Sequence, residues 1–203
     1  MKGTRPITTN VQPDAQPGGR QPAPGDLALV QSFVNSRWNL DDRHREQLDS
    51  PPALARWLHT HGLLDATIEL TGRDLTRAID VREGIRALLF VNNGCTEDRD
   101  AIDRLNRATA DAAVTIRLDP ADPVLVPLHP GLDSALAVLA GIIARAQLAG
   151  RWTAFKACPG QHCGWAFYDH SRNQTGTWCS MAVCGSRAKA KEYRQRKRQD
   201  TSP

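Results

Sequence analysis

Cys158 and Cys163 are separated by four residues, and so are Cys179 and Cys184; fifteen residues lie between the two pairs. Matched cysteine pairs of this kind build a four-thiolate zinc site, because Zn²⁺ takes soft ligands at tetrahedral corners and two knuckles deliver two each. His162 and His170 are alternative ligands, but four cysteines already complete such a shell. Directly behind the last cysteine come Arg187, Lys189, Lys191, Arg194, Arg196, Lys197 and Arg198. From Ser186 onward the sequence reads as a helix, and Arg187, Lys191, Arg194 and Arg198 recur at spacings that share one face. A row of cations at that spacing can follow phosphates. A solvated helix whose cations favour the C-terminal dipole is the plainer alternative. Its place against a metal-stapled module weighs for nucleic acid.

The residues around the cysteines have physical tasks. Gly160 and Gly164 permit tight turns that aim backbone amides at thiolate sulfur. Trp165, Phe167 and Trp178 are the large apolar residues between the pairs. A module this small buries little surface, so metal binding must contribute folding energy, and core packing of these rings outweighs base stacking. Arg172 and Asp169 are expected to pair and brace the loop, with Asn173 in a turn.

Charge is unevenly spread. Residues 151–203 carry ten Lys and Arg against three Asp and Glu, +7; the preceding 150 carry sixteen against nineteen, −3. Four thiolates and one Zn²⁺ sum to −2, which leaves the loaded module near +5. Such asymmetry points to a polyanionic partner for one end only. The opening stretch lacks the apolar centre of a secretory signal, and the most apolar helical run, 132–148, contains Asp133 and Arg145. The expected setting is cytoplasmic, with no membrane, where reduced thiols favour metal over disulfide. Cys95 stands alone near a helix end and reads as a small buried hydrophobe. His59 and His61 are two apart and cannot share a helical face. Asp41-Asp42 and Asp98/Asp100/Asp103 read as solvated faces and caps. No phosphate-cradling loop, nucleophile elbow or metallohydrolase motif is present, and four cysteines close the coordination position that catalytic zinc keeps open; the expectation is that the protein is not an enzyme.

The elements that must carry the module read as mainly helical. Residues 1–25 hold five prolines, four glycines and few large apolar groups, the composition of a disordered leader. A helix is expected from a cap at Asp26. Ser50-Pro51-Pro52 opens another, with Leu54, Trp57 and Leu58 inward and Gly62 at its end. A longer helix runs from Asp74 to about Asn92 before Gly94, and one over 97–112 points Ile102 and Leu105 inward. Alternation at Val114/Ile116/Leu118 and Val124/Val126/Leu128 around Asp119-Pro-Ala-Asp-Pro123 reads as a small β-hairpin. A buried helix over 132–148 closes a domain spanning 26–150, and the zinc module takes 151–203.

Cys-x4-Cys-Gly-Trp-Ala-Phe-Tyr-Asp-His-Ser-Arg-Asn, followed by Trp-Cys-Ser-Met-x-x-Cys-Gly-Ser-Arg-x-Lys, closely resembles the CGNR zinc finger. In bacterial proteins that finger follows an N-terminal ABATE domain. The resemblance extends toward residue 26 through Leu-x-x-x-Phe-Val-Asn-Ser at 29–36, Pro-x-x-Leu-x-x-Trp-Leu at 51–58, Arg-Glu-x-Ile-Arg-x-Leu at 82–88 and the Gly-Leu-Asp-Ser-Ala-Leu-Ala helix. It implies a helical domain carrying a treble-clef-like finger with one structural Zn²⁺, in a stress-responsive transcriptional regulator. On that reading the finger and its basic helix bind duplex DNA, and the helical half senses a small molecule or pairs two copies. An adaptor or an RNA-binding module with purely structural zinc remains open. Two positions depart from the family pattern: the Cys-Gly-Asn-Arg signature is Cys184-Gly185-Ser186-Arg187 here, and Ser32 stands where an Asp is common.

Overall fold

The computed structural model describes residues 15–40, 43–65, 67–120 and 123–199. The first helix, α1 (Leu27–Val34), buries all eight of its residues, as expected of a helix surrounded by core. Asp26 precedes it but makes no side-chain capping bond. Strands β1 (Arg37–Leu40) and β2 (Arg43–Glu46) follow as an antiparallel hairpin, with Arg37 opposite Glu46. This hairpin was not expected; its alternation is masked by charged residues on both strands. Asp41 and Asp42 lie outside the described residues.

Helix α2 (Pro51–Thr60) starts where Ser50 Oγ accepts from the Ala53 amide at 3.3 Å, and buries Ala53, Leu54, Trp57 and Leu58. Gly62, at φ +70°, turns the chain out of it. Helix α3 (Gly72–Asn92) begins two residues before the expected start, because Thr71 and Asp74 form a reciprocal capping box. Helix α4 (Arg99–Ala108) is shorter than the 97–112 expected, with Asp98 accepting from the Ala101 amide at its start. Leu105 is buried as expected, while Ile102 is only half-buried. The two helices pack closely at Gly84, where a Cβ would run into the Leu105 side chain and lie 2.9 Å from the Ala101 carbonyl.

Strands β3 (Val114–Arg117) and β4 (Val124–Pro127) make the expected hairpin, with Ile116 opposite Leu125. The middle of its turn, Ala121-Asp122, lies outside the described residues. Helix α5 (Leu132–Leu148) matches the expected span, and Gly141 lets Leu125 sit against it. Strands β5 (Phe155–Ala157) and β6 (Ala166–Tyr168) pair antiparallel, and a five-residue π turn, Met181–Gly185, leads into α6 (Ser186–Gln199). Helices dominate, with three small two-stranded sheets among the described residues.

One core runs through both halves. Phe155, Ala157, Ala166 and Tyr168 share it with Phe33, Ile85, Leu89 and Leu136. A smaller apolar cluster gathers the four cysteines of the finger with Trp165 and Phe167, and Trp38 of β1 packs against it.

The disordered leader expected over 1–25 requires correction from Ala15 onward; residues 1–14 lie outside the described part. Ala23 is buried, and its amide donates to Gln31 Oε1 at 2.7 Å. Gly18 lies so close to Ser180 that a Cβ would come 2.8 Å from its hydroxyl. Proline and glycine here serve a close-fitting strap with a 3-10 turn at Pro17–Gly19, which composition alone does not distinguish from disorder. Among the described residues, no helix is long and apolar enough to cross a membrane.

Candidate metal centre

The first knuckle is the connection between β5 and β6. The Cys158 amide donates to the Trp165 carbonyl at 2.9 Å, the Gly164 amide to the Cys158 carbonyl at 3.2 Å, and the Cys163 amide to the Gly160 carbonyl at 2.9 Å. Gly164 has φ +61°, the left-handed region that suits glycine. Gly160 is required for space: a Cβ there would lie 3.0 Å from Cys184 Sγ and 3.3 Å from Cys163 Cβ. In the second pair Cys179 precedes the π turn and Cys184 lies within it, buried at the foot of α6. Ser186 donates its hydroxyl to the Met181 carbonyl at 2.9 Å, so the serine that departs from the signature still ties the turn to the helix.

All four sulfurs lie within 4.8 Å of one another. Cys179 Sγ is 3.7 Å from both Cys163 Sγ and Cys184 Sγ. A tetrahedral Zn–S₄ centre with bonds of about 2.3 Å has sulfur–sulfur edges of about 3.8 Å, so the donor set fits Zn²⁺. Without a cation these thiols cannot all ionise. Hydrogen bonds from Cys163 and Cys179 bring Cys158 down to about 2. The same interactions push Cys163 and Cys179 up, and burial raises Cys184. A dication removes the conflict by pairing with every thiolate at once. Bound here, zinc supplies a redox-inert clamp between the β5–β6 knuckle and the root of α6. His162 and His170 stand apart from this cluster: both are exposed, and the His170 ring nitrogen meets the Pro22 carbonyl at 2.9 Å.

The aromatic residues behave as packing. Trp165 and Phe167 are buried in the cysteine cluster and Trp178 is half-buried beside it. Trp165 meets Trp38 edge-on at 6.1 Å, and its indole N–H donates to Gln16 Oε1 at 3.0 Å.

The helical half holds the finger through its backbone. Asn35 exchanges two hydrogen bonds with Ala166 of β6, at 2.9 and 2.8 Å, and Gln31 donates to the same carbonyl. Asn92 donates to the carbonyls of Trp152 and Phe155, and Asn93 to those of Ala157 and Thr177. Arg86 donates to the carbonyls of Gly164, Val34 and Arg37 while its Nε meets Glu83 at 2.9 Å. Arg82 is fully buried and clasps Glu46 at 2.6 and 2.8 Å. From the strap, Arg20 donates to the carbonyls of Cys179 and Trp178 and lies over the Phe167 ring at 4.8 Å.

One expected pair is corrected. Asp169 meets Lys156 at 3.5 Å and accepts from the Ser171 and Gly176 amides, while Arg172 is exposed. Lys156 wins because β5 places its stem inside the finger, where its ammonium also reaches the Gln174 and Gly176 carbonyls. Of the residues that hold the finger in place, Asn35 and Arg86 stood in the resembling segments without an assigned role; Arg20 and Lys156 carried no signal.

All seven cations assigned to nucleic acid lie on α6 and are exposed; Arg196 meets Glu192 one turn away at 3.5 Å. Ala188 is half-buried, and every residue from Lys189 to Arg198 is exposed. A second feature adjoins the knuckle: a cleft of about 440 Å³ between β1, β2, α3 and the first cysteine pair, lined by Trp38, Arg45, Glu83, Arg86, Phe90 and His162 among others.

A family model described as the CGNR zinc finger matches residues 155–197. A second, described as ABATE, a "putative stress-induced transcription regulator", matches residues 15–151. No curated protein matches the chain.

Proposed function

Because the chain belongs to the ABATE family and ends in a CGNR zinc finger, we propose that it is a DNA-binding transcriptional regulator whose contact element is α6. The single observation that carries this reading is the exposure of α6. It presents seven cations to solvent while its root is fastened to the metal centre through Cys184. A helix exposed at every residue from Lys189 to Arg198 gains little from tertiary burial, and a polyanion is the partner its charge fits. The burial of Trp165 and Phe167 keeps these two rings from stacking on single-stranded RNA. The cleft between α3 and the knuckle supports a sensing role for the helical half, because an occupant would touch both parts. No catalytic role is part of this reading.

The test is equilibrium binding of the zinc-loaded full chain to duplex DNA. Neutralising Arg194, Lys197 and Arg198 together is expected to weaken it at least tenfold at about 0.1 M salt. Undiminished binding by that triple variant, or stronger binding to single-stranded RNA than to duplex, overturns the proposal.

A further inference from the structure

The cations of α6 are not confined to one face. At about 100° per residue, Arg187, Lys191, Arg194 and Arg198 form one row, and Lys189 and Arg196 form a second about 180° away. Two surfaces separate the rows. One holds Ala188, Glu192 and Gln195; the other holds Ala190, Tyr193 and Lys197. The fold distinguishes them. Cys184 and Gly185 are buried and Ala188 is half-buried, so the first surface turns toward the finger. The second turns away from the body, and Tyr193 presents its ring there with 67% exposure.

Resting on the reading of α6 as a DNA-contacting helix, we infer that α6 enters the major groove with its two cation rows against opposite phosphate strands and Tyr193 directed at the base edges. The dimensions agree: a helix with side chains is about 10–12 Å across and the B-form major groove is about 12 Å wide, whereas the corresponding groove of A-form RNA is too narrow. A helix lying along one strand would use a single row and leave Lys189 and Arg196 facing water. Within the groove both rows carry phosphates, which position the helix. Sequence is then read by the outward surface, through the Tyr193 hydroxyl and ring and the Lys197 ammonium. Glu192, on the surface toward the finger, stays clear of the bases.

The experiment uses the zinc-loaded full chain, a duplex obtained by selection from random sequence, and a scrambled duplex, across a salt series. Zinc content confirms that each variant is folded. The double variants Lys189→Gln/Arg196→Gln and Lys191→Gln/Arg194→Gln are each expected to reduce the salt slope by about 2. Tyr193→Ala is expected to cut discrimination between the two duplexes at least about fivefold without changing the slope, and Tyr193→Phe separates hydroxyl from ring. An unchanged slope for Lys189→Gln/Arg196→Gln overturns the two-strand placement. Full discrimination by Tyr193→Ala, with loss in Gln195→Ala, overturns the choice of surface. Wild-type protein that binds neither duplex defeats the DNA-binding reading itself, a result distinct from both.

Discussion

Arg86, on α3, donates from Nη1 to the carbonyl of Gly164, the residue directly after the zinc-site cysteine Cys163. The same guanidinium holds the Val34 and Arg37 carbonyls, so one buried side chain ties α1, β1 and the first knuckle together. Glu83 keeps it in place from the preceding turn at 2.9 Å. Burial disfavours its charge, and that carboxylate opposes the loss.

Arg86→Lys is therefore expected to weaken zinc binding by about tenfold or more, since an ammonium cannot serve three carbonyls spread around a planar fork. Competition with a chromophoric chelator measures it. Wild-type affinity in this variant would mean the knuckle orders itself without α3.

Gly160→Ala tests the crowding at the sulfurs. Its Cβ would press on Cys184 Sγ and Cys163 Cβ, both fixed by the metal. Zinc affinity should fall several-fold, whereas Gly72→Ala, where a Cβ would meet nothing within 4 Å, should leave it unchanged. Equal behaviour of the two variants contradicts the packing described.

Much of this centre was legible from spacing, because metal ligands must come as specific residue types at short intervals. Ser50-Pro51 and Gly62 marked helix ends for equally local reasons: a cap, a fixed φ, a left-handed turn. The junction was not legible. Asn35, Arg86 and Arg20 act by reaching backbone carbonyls distant in sequence, and backbone acceptors leave no residue-type signature. The partner of Asp169 was misassigned for a related reason. Arg172 is nearer in sequence, but only the β5–β6 pairing brings Lys156 to it.

Acid should act through the Arg82 cluster. Burial works to raise Glu46 and Glu83, yet hydrogen bonds and charge from Arg82 and Arg86 outweigh it and hold both carboxyls below the usual range. Such a group stabilises the fold above its unfolded pKa and ceases to as pH falls through the lower folded value. Glu46→Gln is expected to cost about 2 kcal/mol near neutral pH, because Arg82 stays buried beside a neutral amide. In urea unfolding the difference from wild type should shrink below about pH 4. A difference that widens in acid contradicts the assignment.

The strap adds a prediction for metal exchange. Arg20→Ala removes two carbonyl contacts and the cation over Phe167, a loss of about 2 kcal/mol. Zinc transfer to a chelator should quicken accordingly. An unchanged transfer rate would show that residues 15–25 do not cover the site.

The most direct measurement is binding of the full chain to a mixed-sequence duplex across a salt series, with zinc present and after its removal. With zinc, the logarithm of the affinity should fall linearly against the logarithm of salt, with a slope between about −3 and −6 for up to six cations on phosphates. Chelation should abolish binding, because α6 then loses its anchor at Cys184. Binding that ignores salt, or that survives intact in the metal-free chain, would contradict a zinc-anchored helix as the element that meets DNA.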